Sequence, residues 1–237
     1  MHNKLQDLLM NNQMAEAIEL LEDNRELLNH ILVDPEGRKY DLYRIAAMKN
    51  STVLFNYLVK ESLEYNKDID LWGATHYCAF SNSIEVLQLL IENGFDYNTK
   101  DEKGKTPFWW SVLQKKFKIS KLLLENGVDV NVRWPEDQTY TLIHHESKDG
   151  RMDGLTFLLE NGADPNIKDH RFGEDSTPIH GACKFDRLKA VEILIKYGAD
   201  VNAKNTEGKT ALDFVNESKK QQCKDIIQKN GGVVGEK

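Results

Sequence analysis

Apolar runs are short throughout this 237-residue chain, and none approaches the roughly 18–20 residues that a membrane-spanning helix needs. The first residues, Met1-His2-Asn3-Lys4-Leu5-Gln6-Asp7, hold no apolar stretch before Asn11 and Asn12, which argues against a secretory leader. Cysteine is scarce. Cys78, Cys183 and Cys223 are odd in number, far apart and without a Cys-x-x-Cys pair, so a disulfide framework is excluded and a reducing, cytoplasmic setting fits. Five prolines and 15 glycines are too few for a linker-rich or disordered chain. Basic residues are in deficit, 31 against 38 acidic ones, and a net charge of −7 disfavours nucleic acid and anionic lipid as partners. Catalytic signatures are missing as well. Gly231-Gly232 precedes no helix and so makes no phosphate loop, and there is no Gly-x-Ser-x-Gly, His-Glu-x-x-His, EF-hand or kinase pattern. No cofactor is expected. Hydrophobic residues make up 40%, enough for a sizeable globular core.

What the chain does have is internal repetition. Leu90-Ile91-Glu92-Asn93-Gly94, Leu123-Leu124-Glu125-Asn126-Gly127, Leu158-Leu159-Glu160-Asn161-Gly162 and Leu194-Ile195-Lys196-Tyr197-Gly198 recur at spacings of 33, 35 and 36 residues. Each is followed by a variant of one phrase: Phe95-Asp96-Tyr97-Asn98, Val128-Asp129-Val130-Asn131, Ala163-Asp164-Pro165-Asn166 and Ala199-Asp200-Val201-Asn202. Upstream stand Thr106-Pro107, Thr141-Leu142, Thr177-Pro178 and Thr210-Ala211. A threonine followed by proline opens a helix well, because the hydroxyl accepts from free first-turn N–H groups and proline sets φ. Asn-Gly closes the second helix, glycine taking the left-handed conformation. The 3.6-residue apolar period before it excludes the hairpin that Asn-Gly otherwise signals.

These motifs resemble the ankyrin repeat, with Thr-Pro-x-His opening the first helix and Gly-Ala-Asp-Val-Asn after the second. The likeness is fullest at Thr177–Asn202 and runs from Gly73 to about Asn230. It implies an all-α ankyrin-repeat solenoid of helix–turn–helix units with protruding β-turn fingers and a concave groove. Residues 1–40 read as N-terminal capping helices, with a helix over part of Arg25–Asp41 and a turn at Asp34-Pro35-Glu36-Gly37. Residues 41–209 read as repeats (about 41–72, 73–105, 106–140, 141–176 and 177–209), and 210–237 as a C-terminal capping repeat whose Gly231–Lys237 is a frayed tail. One undivided stack is expected, since no linker interrupts it.

Several residues stand out against this register. His76, His144 and His180 fall in the histidine slot, where the resemblance implies a structural clamp bonding locally and to the next repeat. Trp109 fills the same slot and is expected to be buried. Trp110, the next residue, is expected on the groove side as an aromatic anchor, a residue type enriched at binding hot spots. Glu146 takes a position that elsewhere holds Cys78, Ser111 or Ala182, so it needs a nearby cation or forms a polar pocket with His145. His180 and Cys183, three apart on one helix, are spaced for a metal, although Cys183 stands where the family carries a small buried residue. Lys115, Lys116, Lys118 and Lys121 read as a solvated cationic face.

The longer fingers carry the variation. Val128–Tyr140 and Ala163–Ser176 hold Arg133, Trp134, Tyr140, Arg171 and Phe172, and each excursion has a net charge of −2. Insertions in repeat proteins map to loops on one face, commonly the binding face. The reading is therefore a non-enzymatic protein-interaction module, an adaptor, inhibitor or host-directed effector. It would act as a monomer in the cytoplasm or in a host cytosol, binding a protein partner with a basic segment through Trp110, Arg133, Trp134, Tyr140, His145, Arg171 and Phe172. The alternative is an enzyme or metal-binding protein with its site around His145, Glu146, His180 and Cys183.

Overall fold

A computed structural model describes residues 2–29, 31–33, 37, 39–65, 72–133, 140–169, 175–218 and 221–235. The chain divides into two compact units, Met1–Gly127 and Val128–Lys237, where the sequence reading expects one stack. Contacts in a repeat array run between neighbours only, so no long-range packing obliges the chain to cluster as a single body.

In the first unit, α1 (His2–Met10) and α2 (Met14–Asp23) pack as a pair, followed by a 3₁₀ turn at Arg25–Asn29. That turn replaces the α-helix expected after Arg25. Two short antiparallel strands then form, β1 (Leu32–Val33) and β2 (Lys39–Tyr40), with Leu32 opposite Tyr40. They bracket the expected turn, of which Asp34, Pro35 and Glu36 lie outside the described residues. The helix pairs α3 (Leu42–Lys49) with α4 (Thr52–Tyr65), α5 (Trp72–Ser81) with α6 (Ile84–Glu92), and α7 (Pro107–Leu113) with α8 (Phe117–Glu125) complete the unit. First helices pack on first helices (α3, α5, α7) and second helices on second ones (α2, α4, α6, α8). The second unit repeats the two rows: α9 (Leu142–Asp149), α11 (Pro178–Lys184) and α13 (Ala211–Ser218) form one, and α10 (Met152–Glu160), α12 (Leu188–Lys196) and α14 (Gln221–Lys229) the other.

Local chemistry sets several of the boundaries. Thr106 is extended and its hydroxyl accepts from Trp109 N, with Pro107 at the first helical position. The pairs from α3–α4 to α11–α12 each turn at one left-handed residue: Asn50, Asn82, Lys115, Gly150 and Asp186 all have φ between 50° and 69°. Lysine is the exception among types that tolerate this conformation. Second helices end on left-handed Gly94, Gly127, Gly162 and Gly198. The preceding asparagines explain why the phrase is Asn-Gly. Asn93, Asn126 and Asn161 each donate a side-chain N–H to the carbonyl four residues back, at 2.8, 2.8 and 2.7 Å, a second donor on a carbonyl that already accepts from the same residue's backbone N–H.

The fingers are built on the Asp-x-Asn phrase. In Asp96, Asp129, Asp164 and Asp200 a carboxylate oxygen accepts from the backbone N–H two residues on, each at 2.8 Å. In the second unit the asparagine then reaches forward: Asn131 Oδ1 accepts from Asp164 N at 3.0 Å, and Asn166 Oδ1 from Asp200 N at 2.7 Å. The two long fingers are each closed by an antiparallel bridge, Arg133 with Thr141 and Asp169 with Ser176. The residues between those partners that carry the insertions, 134–139 and 170–174, lie outside the described residues.

Candidate functional site

On the first unit the row α5–α7 carries an aromatic patch. Trp109 fills the histidine slot and is buried, as its register requires. Trp110, one residue on, is half-buried with its ring held from three sides. Its indole N–H donates to Asp101 Oδ2 at 2.7 Å, Phe80 meets it edge-on at 6.5 Å between centroids, and Lys105 Nζ stands 4.7 Å above the ring. Asp101 is itself fixed, since its Oδ1 accepts from the N–H groups of Lys103 and Lys105 at 2.9 and 2.8 Å. Phe80 is 56% exposed. A large apolar ring left in water thus lies beside an indole that retains little rotamer freedom. Sequence reasoning found Trp110 and missed Phe80. Phe80 sits in the last turn of its helix, aligned with Leu113, Lys148 and Lys184, and its aromatic ring at that position was its only signal.

On the second unit, Glu146 of α9 is buried with 1% exposure. It has a partner set: His145 Nδ1 lies 3.3 Å from Oε1 and Arg151 Nη1 3.9 Å away, and both His145 Nε2 and Arg151 Nη2 also face Asp149 at 3.7 Å. The room for Glu146 comes from the facing helix. A Cβ on Gly154 of α10 would stand 1.9 Å from Glu146 Oε2. A large residue on one helix is thus matched by none on the other. His145 is partly exposed and edge-on to Tyr140.

The expected finger residues separate. Tyr140, expected as a contact surface, is 1% exposed and stacks on His144 at 6.0 Å, because it directly precedes the α9 cap and turns inward with it. Arg133 spans two fingers, its guanidinium donating to the Lys168 carbonyl at 3.1 Å. Trp134, Arg171 and Phe172 lie outside the described residues. Phe185, 40% exposed at the end of α11 with Lys148 Nζ at 5.8 Å from its ring, was not foreseen.

The histidines of the repeat slot are engaged along the chain's own backbone. His144 Nε2 lies 3.2 Å from the Ser176 carbonyl and His180 Nε2 3.2 Å from the Lys209 carbonyl, with His76 Nε2 at 2.9 Å from Lys105 O. A carbonyl only accepts, so Nε2 carries the proton in each. On the other side Thr177 N–H donates to His180 Nδ1 at 3.0 Å, and Thr141 Oγ1 lies 2.8 Å from His144 Nδ1. Each ring therefore joins its own helix start to the following finger. Burial holds both imidazoles neutral, lowering His180 and pushing His144 down to about 3 despite the opposing bond to Ser176. Cys183 is buried in the same helix, and desolvation raises its thiol pKa. Both nitrogens of His180 are already bonded, so the ring has no lone pair to offer a metal. Among the described residues no three His, Cys, Asp or Glu side chains converge as a metal site would require. No helix there is long and apolar enough to cross a membrane.

Comparison with known proteins agrees with this geometry. The chain is 32% identical over 183 residues to the palmitoyltransferase ZDHHC13 of Homo sapiens, and equally to that of Pongo abelii, covering 75% of this chain but 27% of those proteins. It is 27% identical over 114 residues to alpha-latrocrustotoxin-Lt1a of Latrodectus tredecimguttatus, covering 47% of this chain and 8% of the toxin. The chain thus spans about a quarter of the palmitoyltransferases and under a tenth of the toxin. A family profile described as ankyrin repeats in three copies matches residues 11–101, 43–134, 76–169 and 143–231. With that coverage, and with helix pairs, fingers and histidine clamps in the matching register, this all-α repeat solenoid belongs to the ankyrin-repeat family, whose repeats are protein-interaction modules.

Proposed function

We propose that the chain acts as a non-enzymatic adaptor, inhibitor or host-directed effector that holds a protein partner against its groove and enlarged fingers. The observation that carries this reading is the Phe80–Trp110 patch, an exposed ring beside an indole locked by Asp101 and Lys105. Apolar anchors of this kind supply affinity, while the two acidic fingers, each at −2, steer a partner with a basic segment. Of the residues that would serve an enzyme, His180 is engaged as a clamp while His145 and Glu146 lie in an ion-paired cluster, which favours the interaction reading over the catalytic one. A monomer in the cytoplasm, or in a host cytosol, suits the reduced cysteines, all three of which are buried.

The test is affinity capture with wild type beside Phe80→Ala/Trp110→Ala, followed by calorimetry with the captured partner and circular dichroism of both proteins. Loss of roughly 2 kcal/mol or more of binding in a folded variant is the expected result. Full affinity in that variant, with the Trp134→Ala/Phe172→Ala chain failing to bind, would move the site to the fingers.

A further inference from the structure

The described part of the segment after α14, through Gly235, is held by hydrogen bonds rather than frayed. Residues 231–235 run back along the last described finger and are held at both ends. Asn202 donates a side-chain N–H to the Gly231 carbonyl at 3.0 Å and its Oδ1 accepts from Val233 N at 2.8 Å. Asn166 makes the same two-point grip one repeat earlier, on the Gly198 carbonyl and Asp200 N, at 3.0 and 2.7 Å. Gly231-Gly232-Val233 therefore occupies the place that Gly198-Ala199-Asp200 holds for the preceding repeat.

Beyond Val233 the grip changes polarity. Thr210 Oγ1 donates to the Val233 carbonyl at 2.7 Å, and Gly235 N–H donates to Asp213 Oδ2 at 2.8 Å. Asp213 stands in the histidine slot. Where His144 and His180 donate to a carbonyl of the next finger, Asp213 accepts from an N–H. The same Oδ2 accepts from Thr210 N at 2.8 Å, and burial of the carboxylate is outweighed by these bonds, so its pKa lies below the usual carboxylate value.

The glycines fit the seat by shape. Gly231 has φ +80°; a Cβ on Gly232 would stand 2.2 Å from Ile227 Cγ2 and 2.8 Å from its carbonyl oxygen; a Cβ on Gly235 would stand 1.9 Å from the Gly208 carbonyl oxygen. Two of these clashes are with backbone, which has no rotamer by which to move aside. Val233 and Val234 are instead 56% and 54% exposed, so the seat reads main chain there.

We propose that Asn202, Thr210 and Asp213 form a backbone-reading site for an extended Gly-Gly-x-x-Gly segment, filled by residues 231–235 of the same chain as a displaceable strap standing in for the finger of a further repeat. The tether is short. Val233 follows the last residue of α14 by four positions, so a free peptide of this sequence competes only when the strap is weakened.

Amide hydrogen exchange on the full chain tests the strap, and NMR titration with the pentapeptide Gly-Gly-Val-Val-Gly tests the site. In wild type the Val233 and Gly235 amides should exchange at least about tenfold more slowly than in the free pentapeptide. Gly235→Ala should lose this protection with Leu194 and Ile179 amides unchanged, and the Gly235 amide should lose it in Val233→Pro, which removes the other donor without touching the core. Val233→Ser/Val234→Ser should keep it. Pentapeptide at about millimolar concentration should shift Asn202, Thr210 and Asp213 signals in Gly235→Ala and leave them unmoved in wild type. Free-chain exchange in wild type, or protection retained in both Gly235→Ala and Val233→Pro, would overturn the strap. Peptide shifts that are absent from Gly235→Ala, or equal in both proteins, would overturn the exchangeable site.

Discussion

A histidine in the clamp position of a repeat works here only as a neutral ring, with Nε2 donating to one carbonyl and Nδ1 turned towards a threonine. This fixes a pH dependence. An unfolded histidine takes up a proton near pH 6.5, whereas folded His144 resists it down to about pH 3 and folded His180 is also lowered. Below pH 6.5 the unfolded chain therefore binds more protons than the folded one, and stability present at higher pH is lost as pH falls. His144 alone should account for about 2 kcal/mol lost between pH 8 and pH 5. Urea denaturation at the two values checks this, and His144→Gln should flatten the slope by about one proton. At neutral pH His180→Ala should cost roughly 1–3 kcal/mol through the lost buried bonds. Stoichiometric zinc in the purified wild type, gone from that variant, would contradict the clamp.

Single helices carry a second kind of information, visible in the α9–α10 pair. Glu146 and Gly154 are complementary, one side chain occupying the space the other leaves. Gly154→Ala would normally strengthen a helix interior by roughly 0.5–1 kcal/mol. Here the new methyl meets a buried carboxylate with its ion partners, and overpacking of this kind costs roughly 1–3 kcal/mol. The expected outcome is net destabilisation in wild type and stabilisation once Glu146→Ala has emptied the space. A double-mutant cycle by thermal melting reads the coupling directly; additive effects would show that α10 shifts aside instead.

For the whole molecule, a repeat cannot bury its apolar face alone, so the end repeats decide whether the array stays dispersed. In the second unit α13 covers α11 and α14 covers α12. Deleting Thr210–Lys237 uncovers Leu194, which is fully buried, together with Ile193. Light scattering should show aggregation of the truncated chain, while one that remains monomeric with an unchanged melting temperature would deny α13 and α14 their capping role. The Gly235→Ala chain, which keeps both helices, should stay dispersed in the same measurement.

The sequence by itself determined what depends on neighbours a few residues apart. Helix starts at Thr-Pro, helix ends at Asn-Gly, and the spacing that brings His144 and His180 under the following finger are local or periodic patterns, and repetition multiplied their signal. The tertiary structure alone decided what depends on residues far apart in sequence. Tyr140 looks like a loop-tip aromatic until α9 turns it inward onto His144. Phe80 acquires a role only through Trp110, 30 positions away in the next repeat. Gly231–Lys237 has the composition of a frayed end, yet its described part, through Gly235, is held because Asn202, Thr210 and Asp213 present donors and acceptors in the places its backbone needs. Composition reports what a segment can bury. It does not report the hydrogen-bonding partners that folding brings to it, and those come from parts of the chain that periodicity does not connect.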